Sequence, residues 1–270
     1  MQVAIVTPTI GSEHLKQCVE SVQNQTYKDV KHYIFIDGIN VKYNNPNWPS
    51  FINNLPNVKQ VALDENVGKG WYGHRVYAAC SFLVNADVII YLDEDNWLEP
   101  NHVQEAVDAL KAGFDWVYSL RRIVSKTGEY ICDDNCESLG KWPVFFNPEV
   151  FHIDTACFAV RRDVALKVGH SWYGQWGADR QFHTALKASY KNYGCTTKHT
   201  VNYRLDGNPH SVTKEFFEEG NSVFDLEEHG WTHDECEMII DCDMSIEMIE
   251  PTEGNVEDKP KEEGKSEWPN

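Results

Sequence analysis

Through residues 1–112, short apolar runs alternate with helical patterns, and each run ends in a polar or glycine-bearing loop. Val3 to Thr7 reads as a buried strand stopped by Pro8 and Gly11. Ser12 can then cap a helix in which Leu15, Val19 and Val22 recur at helical spacing. Lys31 to Asp37 is a second strand. A helical turn at Phe51-Ile52 interrupts the loop before a third strand, Val58 to Leu63. Trp71 to Val84 reads as a helix, Asp87 to Leu92 as the most apolar strand, and Pro100 opens a helix ending near Ala112. Such a βαβα order predicts an α/β fold with a mainly parallel sheet covered by helices on both faces.

The second half is less regular. Trp116 to Arg122 and Tyr130 to Cys132 flank a turn and read as a hairpin. Ala156 to Val160 is a further strand, Arg162 to Val168 and Ala178 to Tyr190 are helices, and Thr200 to Arg204 is a strand. The 270 residues suit one large domain, expected over residues 1–224. The formal net charge is −18, and residues 225–270 carry 16 acidic side chains against 3 lysines. They read as an acidic extension, flexible beyond about residue 251.

This charge argues against a nucleic-acid partner bound through phosphate neutralisation. No apolar run is long enough to span a membrane, and the first residues lack the form of a signal peptide, so a cytoplasmic location is expected. The eight cysteines contain no Cys-x-x-Cys pair and read as reduced structural thiols, with Cys132 and Cys136 a weaker metal-binding alternative.

In a parallel sheet, ligands bind outside the carboxyl ends of the strands. Those ends are Thr7 to Gly11, Asp37-Gly38, Asp64 to Gly70 and Asp93 to Asn96. The Asp-x-Asp pattern occurs twice, so its presence alone says little, but Asp93 and Asp95 end an apolar strand. They can project two hard oxygen ligands into one cleft, suited to Mg²⁺ or Mn²⁺ with a diphosphate. The second match, Asp241 and Asp243, lies in the acidic extension.

Val3 to Thr9, the helix from Cys18 to Tyr27, and Ile34 to Gly38 are followed in order by Asn66 to Gly70 with Arg75 and by Tyr91 to Asn96. As an ordered set these segments resemble a family 2 glycosyltransferase with the glycosyltransferase-A fold. Asp154 to Arg162 and Trp176 to Phe182 resemble that family's acceptor-side segments. The resemblance implies that Thr7, Pro8 and Thr9 line a nucleoside pocket, with Asp37 accepting a hydrogen bond from the base. Asn66, Gly68, Lys69, Arg75, Asp93 and Glu94 would serve the nucleotide. Asp93, Asp95 and His210 would hold Mn²⁺ or Mg²⁺, His199 being a weaker metal candidate. It implies Asp179 as general base, with Asp154 as the alternative, and a nucleotide-sugar donor, uridine-linked, reacting with inversion. The hydroxyl acceptor could be a glycan, a lipid-linked group or a small molecule. Trp142, Trp172, Tyr173 and Trp176 could stack on a sugar or fill the core.

Two rivals are weighed against this. A nucleotidyltransferase would need a glycine-rich, basic phosphate loop after the first strand, which Thr9 to His14 lacks. A carbohydrate-binding or scaffold protein would keep the sheet without metal-dependent nucleotide binding.

Overall fold

The apolar runs of the first half lie side by side as parallel strands. β1 (Val3–Thr9) sits between β2 (Val30–Asp37) and β4 (Val88–Tyr91), with Val3 opposite Val30 on one side and Val88 on the other. β3 (Val58–Leu63) pairs parallel with β2. Every residue of β1 and β4 is buried, as expected of strands covered on both faces. The computed structural model describes residues 1–40, 48–68, 72–174, 177–205, 212–223 and 239–240.

α1 (Leu15–Gln23) turns Leu15, Cys18, Val19 and Val22 into the core. Ser12 lies two residues ahead of the cap position, His14, whose N–H bonds its Oγ, so it does not cap the helix itself. α2 (His74–Leu83) begins later than the expected Trp71, because Tyr72 and Gly73 take left-handed φ angles of 53° and 77°. A side chain at Gly73 would also meet the Pro8 ring at 2.8 Å. β5 (Trp97–Leu98) precedes α3 (His102–Lys111).

In the second half, β6 (Trp116–Val124) and β7 (Tyr130–Asp133) form the expected antiparallel hairpin. β10 (Phe158–Arg161) runs antiparallel between β4 and β6 and leads into α4 (Arg162–Val168). α5 (Ala178–Ser189) follows, then β11 (Tyr193–Arg204), parallel to β6, and α6 (Lys214–Val223). β11 starts seven residues before the expected Thr200. Its register shifts near His199 and Thr197 takes φ 57°, so the stretch lacks strand alternation in sequence. β8 (Pro143–Val144) and β9 (Asn147–Phe151) form a small hairpin too short and polar to read from sequence. β12 (Ile239–Ile240) adds an edge strand to β11, and the path through the main sheet is β12-β11-β6-β10-β4-β1-β2-β3.

Trp172 is fully buried, stacked on Phe182 at 4.4 Å between ring centroids and close to Tyr77, Tyr91 and Phe158. Trp142 is buried as well. Both fill the core and offer no face to a sugar. The six described cysteines are free thiols.

Candidate active site

The carboxyl ends of β1, β2 and β4 and the loop after β3 open onto a cleft of about 470 Å³. Its lining includes Pro8, Thr9, Asp37, Asn66, Gly68, Asp93, Glu94, Asp95, Asp154 and Asp179, residues drawn from six separate stretches of sequence. Lys69, Trp176 and His210 lie outside the described residues.

On the wall built by β1, β2 and β4, Asp37 is 2% exposed and accepts the N–H groups of Val67 at 2.6 Å and Gly68 at 2.9 Å. Its backbone carbonyl takes the Asn66 amide. The loop therefore wraps the carboxylate so closely that a Cβ on Gly68 would come within 2.6 Å of Oδ2. Glu94 accepts the Thr9 hydroxyl and the N–H groups of Ile10 and Ser12, fixing the loop after β1. Burial raises its carboxyl above the ordinary range, against those hydrogen bonds.

Asp93 and Asp95 lack such compensation. Asp93 accepts the Tyr77 hydroxyl at 2.8 Å, yet burial, then Asp95 and Asp154, push its carboxyl well above the usual range. Asp95 is pushed up to about 6 by burial and Glu94, with its own backbone N–H and Arg204 pulling the other way. Arg204 bonds the Asp95 backbone carbonyl at 2.9 Å rather than its carboxylate. Two carboxylates crowded at a strand end, neither in an ion pair with Lys or Arg among the described residues, suit a divalent cation as a donor set. Among the described residues no three His, Cys, Asp or Glu side chains form a metal-holding group.

A second wall is built around Arg121, 1% exposed in the middle of β6. Its three nitrogens bond Asp134 at 2.8 Å, Asp154 at 2.7 Å and Glu137 at 2.5 Å. The guanidinium also lies 4.3 Å from the Tyr203 ring centroid. Burial alone would lower Arg121; the three carboxylates outweigh it and hold the group firmly charged. Burial would likewise raise Asp134, but Arg121 and the N–H groups of Ser138 and Cys136 bring it below its ordinary value. Asp154 is fully engaged, with Oδ2 on Arg121 and Oδ1 on the Ala156 N–H. Asp179, in the first turn of α5, has Oδ1 on the Arg180 N–H and Oδ2 3.8 Å from His152 Nε2.

Two expected nucleotide residues stand elsewhere. Thr7 is fully buried, its hydroxyl 2.9 Å from His32 Nε2 and near Cys18, because it lies two residues inside the strand end, beneath α1. Arg75 donates to the Val67 carbonyl at 2.9 Å and faces the Tyr173 ring, bracing the loop from outside the cleft lining. His199 sits 3.9 Å from Asp133, also outside the lining. Sequence reasoning missed Arg121, Glu137, His152, Arg180, Tyr203 and Arg204, all of which line the cleft. A signal existed for Arg121: a charged pair, Arg121-Arg122, inside an apolar strand. His152 had none, being one of eleven histidines in an irregular stretch.

Residues 4–169 match the model of the family described as glycosyl transferase family 2. The chain belongs to glycosyl transferase family 2. The enzyme class expected from the sequence, a glycosyltransferase, is the class of that family. A 63-residue stretch, 23% of this chain, is 43% identical to an uncharacterized protein of Haemophilus influenzae, covering 43% of it. The fold matches the crystal structure of S. aureus TarS residues 1–349 with TM-score 0.57 and 14% identity, over 76% of this chain and 60% of that one. It matches the complex of TarS 1–349 with UDP-GlcNAc with TM-score 0.58 and 14% identity, over 81% of this chain and 64% of that one. The chain spans less than two thirds of the length of these relatives. At such identities the TarS likeness is one of fold, and the fold is the glycosyltransferase-A-like α/β architecture expected from the sequence.

Proposed function

We propose that this family 2 glycosyltransferase moves a sugar from a uridine diphosphate sugar to an acceptor hydroxyl with inversion, aided by Mn²⁺ or Mg²⁺. The observation carrying this reading is the uneven charge of the cleft: among the described residues no Lys or Arg side chain forms an ion pair with the Asp93 or Asp95 carboxylate, and Asp179 lines the same cleft. The complexes of TarS with UDP and with UDP-GlcNAc support a nucleotide-sugar donor by analogy of fold.

Asp93 and Asp95 would hold the metal, whose chemistry when bound is to neutralise charge on the departing diphosphate. Asp37, Asn66 and Gly68 shape the wall against which the nucleoside would lie, and Pro8 and Thr9 its floor. The acceptor oxygen attacks the anomeric carbon and the bond to the diphosphate breaks with its electron pair leaving on UDP. The acceptor proton passes to Asp179. Asp179 is favoured over Asp154 as base because Asp154 is held in the buried ion cluster of Arg121, whereas Asp179 pairs with no arginine or lysine among the described residues.

The nucleotidyltransferase rival is disfavoured by Glu94. Its carboxylate occupies the N–H groups of Ile10 and Ser12, which a phosphate-cradling loop would leave for the ligand. The test is incubation with a panel of nucleotide-sugars and hydroxyl acceptors in Mn²⁺, with mass detection of products. A sugar mass added to an acceptor, with UDP released, is expected. A nucleotide-sugar formed from sugar phosphate and nucleoside triphosphate would overturn the reading.

A further inference from the structure

His152 follows β9, and Asp179 lies in the first turn of α5, so the fold brings them together from separate elements. The His152 side chain is 6% exposed, lines the cleft, and has Nε2 3.8 Å from Asp179 Oδ2. Its other ring nitrogen, Nδ1, is buried without a hydrogen-bonding partner among the described residues. Other buried imidazoles also leave one ring nitrogen without a partner, His32 at Nδ1 and His102 at Nε2, but each of these bonds a threonine hydroxyl through its second nitrogen. His152 instead has a carboxylate of the cleft as its polar neighbour.

The Asp179 carboxylate is held at Oδ1 by the Arg180 N–H at 2.7 Å, which leaves Oδ2 to turn unless something fixes it. We propose that His152 is a positioning residue whose Nε2–H holds Asp179 Oδ2 toward the acceptor hydroxyl. This rests on the reading of Asp179 as the base. The 3.8 Å separation is longer than a hydrogen bond; such contacts tighten when substrate fills a site. Two donors, one on each oxygen, select a single carboxylate orientation, and misplacing a reacting group by about 1 Å costs up to about 10²-fold in rate.

Nitrogen-15 ring spectra of the full chain test the contact without substrate, with the His152 signals assigned by their loss in His152→Gln. The expected wild-type ring carries its proton on Nε2, and Asp179→Leu, which removes the acceptor, redistributes it between the two nitrogens. The same His152 ring pattern in both proteins would overturn the proposal. UDP release from UDP-GlcNAc in Mn²⁺, with water as stand-in acceptor, provides a second arm. His152→Ala should lower kcat about 10- to 100-fold while KM for UDP-GlcNAc stays within about twofold. His152→Gln, which still donates from its amide, should recover most of the loss. In the Asp179→Asn background His152→Ala should cost nothing more. A loss that persists in that background, or a Gln variant as slow as the Ala variant, would refute positioning through Asp179. Wild-type turnover in Asp179→Asn would refute the base assignment alone. Where the wild type releases no UDP, the ring spectra decide.

Discussion

Asp93 and Asp95, following β4, and Glu137 and Asp154, which with the buried Asp134 surround Arg121, are two carboxylate groups of one cleft, handled in opposite ways. The Arg121 group is internally complete: each acid meets a guanidinium nitrogen, and Asp134 is lowered despite its burial. The β4 pair is left crowded, with both carboxyls raised. A finished ion cluster serves as structure, whereas an unfinished one holds room for charge that arrives with a ligand. On this account the first group shapes the acceptor wall and the second receives metal and diphosphate. Asp179 belongs to neither, and on the same account it is the residue that takes the acceptor proton.

The largest effect should come from the residue outside both groups. Asp179→Asn is expected to lower turnover about 10²- to 10⁴-fold while UDP affinity by calorimetry stays near wild type. Equal losses in both would place Asp179 in donor binding and blur the contrast between the walls.

Next in size is Arg121→Met. It strands three buried carboxylates and should cost about 3–5 kcal/mol in urea unfolding. A variant as stable as wild type would mean that the acceptor wall is no more compensated than the β4 wall.

The two walls should also respond to pH with opposite sign. Asp95 is raised to about 6, so the folded state binds more protons than the unfolded state between about pH 4 and 6. The stability it contributes is present below its unfolded value near 3.8 and is lost as pH rises through about 6. Asp134 is lowered, so its stability is present above 3.8 and is lost as pH falls through its folded value. Asp95→Asn should therefore gain on wild type as pH rises from 4 to 7, by about 2 kcal/mol, in denaturation at several pH values without metal. A constant difference across that range would contradict the crowding inferred for the β4 wall.

The smallest effect is expected at Gly68, where the added methyl of Gly68→Ala must displace the Asp37 carboxylate. The expected cost is about 1–3 kcal/mol of stability with weaker UDP binding. Unchanged UDP affinity would remove this loop from the donor wall.

The walls also differ in how far they could be read from the sequence. The β4 wall comes from consecutive strand ends, each an apolar run followed at once by its polar residue, so Asp37, Asn66, Gly68 and Asp93 to Asp95 could be named from local pattern. Thr7 was misplaced because strand periodicity does not say where a strand's last exposed residue falls, and here the strand runs on to Thr9. The Arg121 wall depends on contacts between residues 13, 16 and 33 positions apart and on an irregular loop from Asp134 to Gly140. Nothing local announces such pairings. Asp179 was legible through the family resemblance, but its neighbour His152 was not, since their meeting is a product of the tertiary fold alone.

Calorimetric titration of UDP into wild type and Asp95→Asn, each with and without Mn²⁺, bears most directly on the central claim that the β4 wall is left open for metal and diphosphate. The account predicts that Mn²⁺ strengthens UDP binding to wild type by at least about tenfold, and that Asp95→Asn, still folded, loses this gain. UDP binding that ignores Mn²⁺ in wild type, or an Asp95→Asn protein whose Mn²⁺ response is intact, would contradict it.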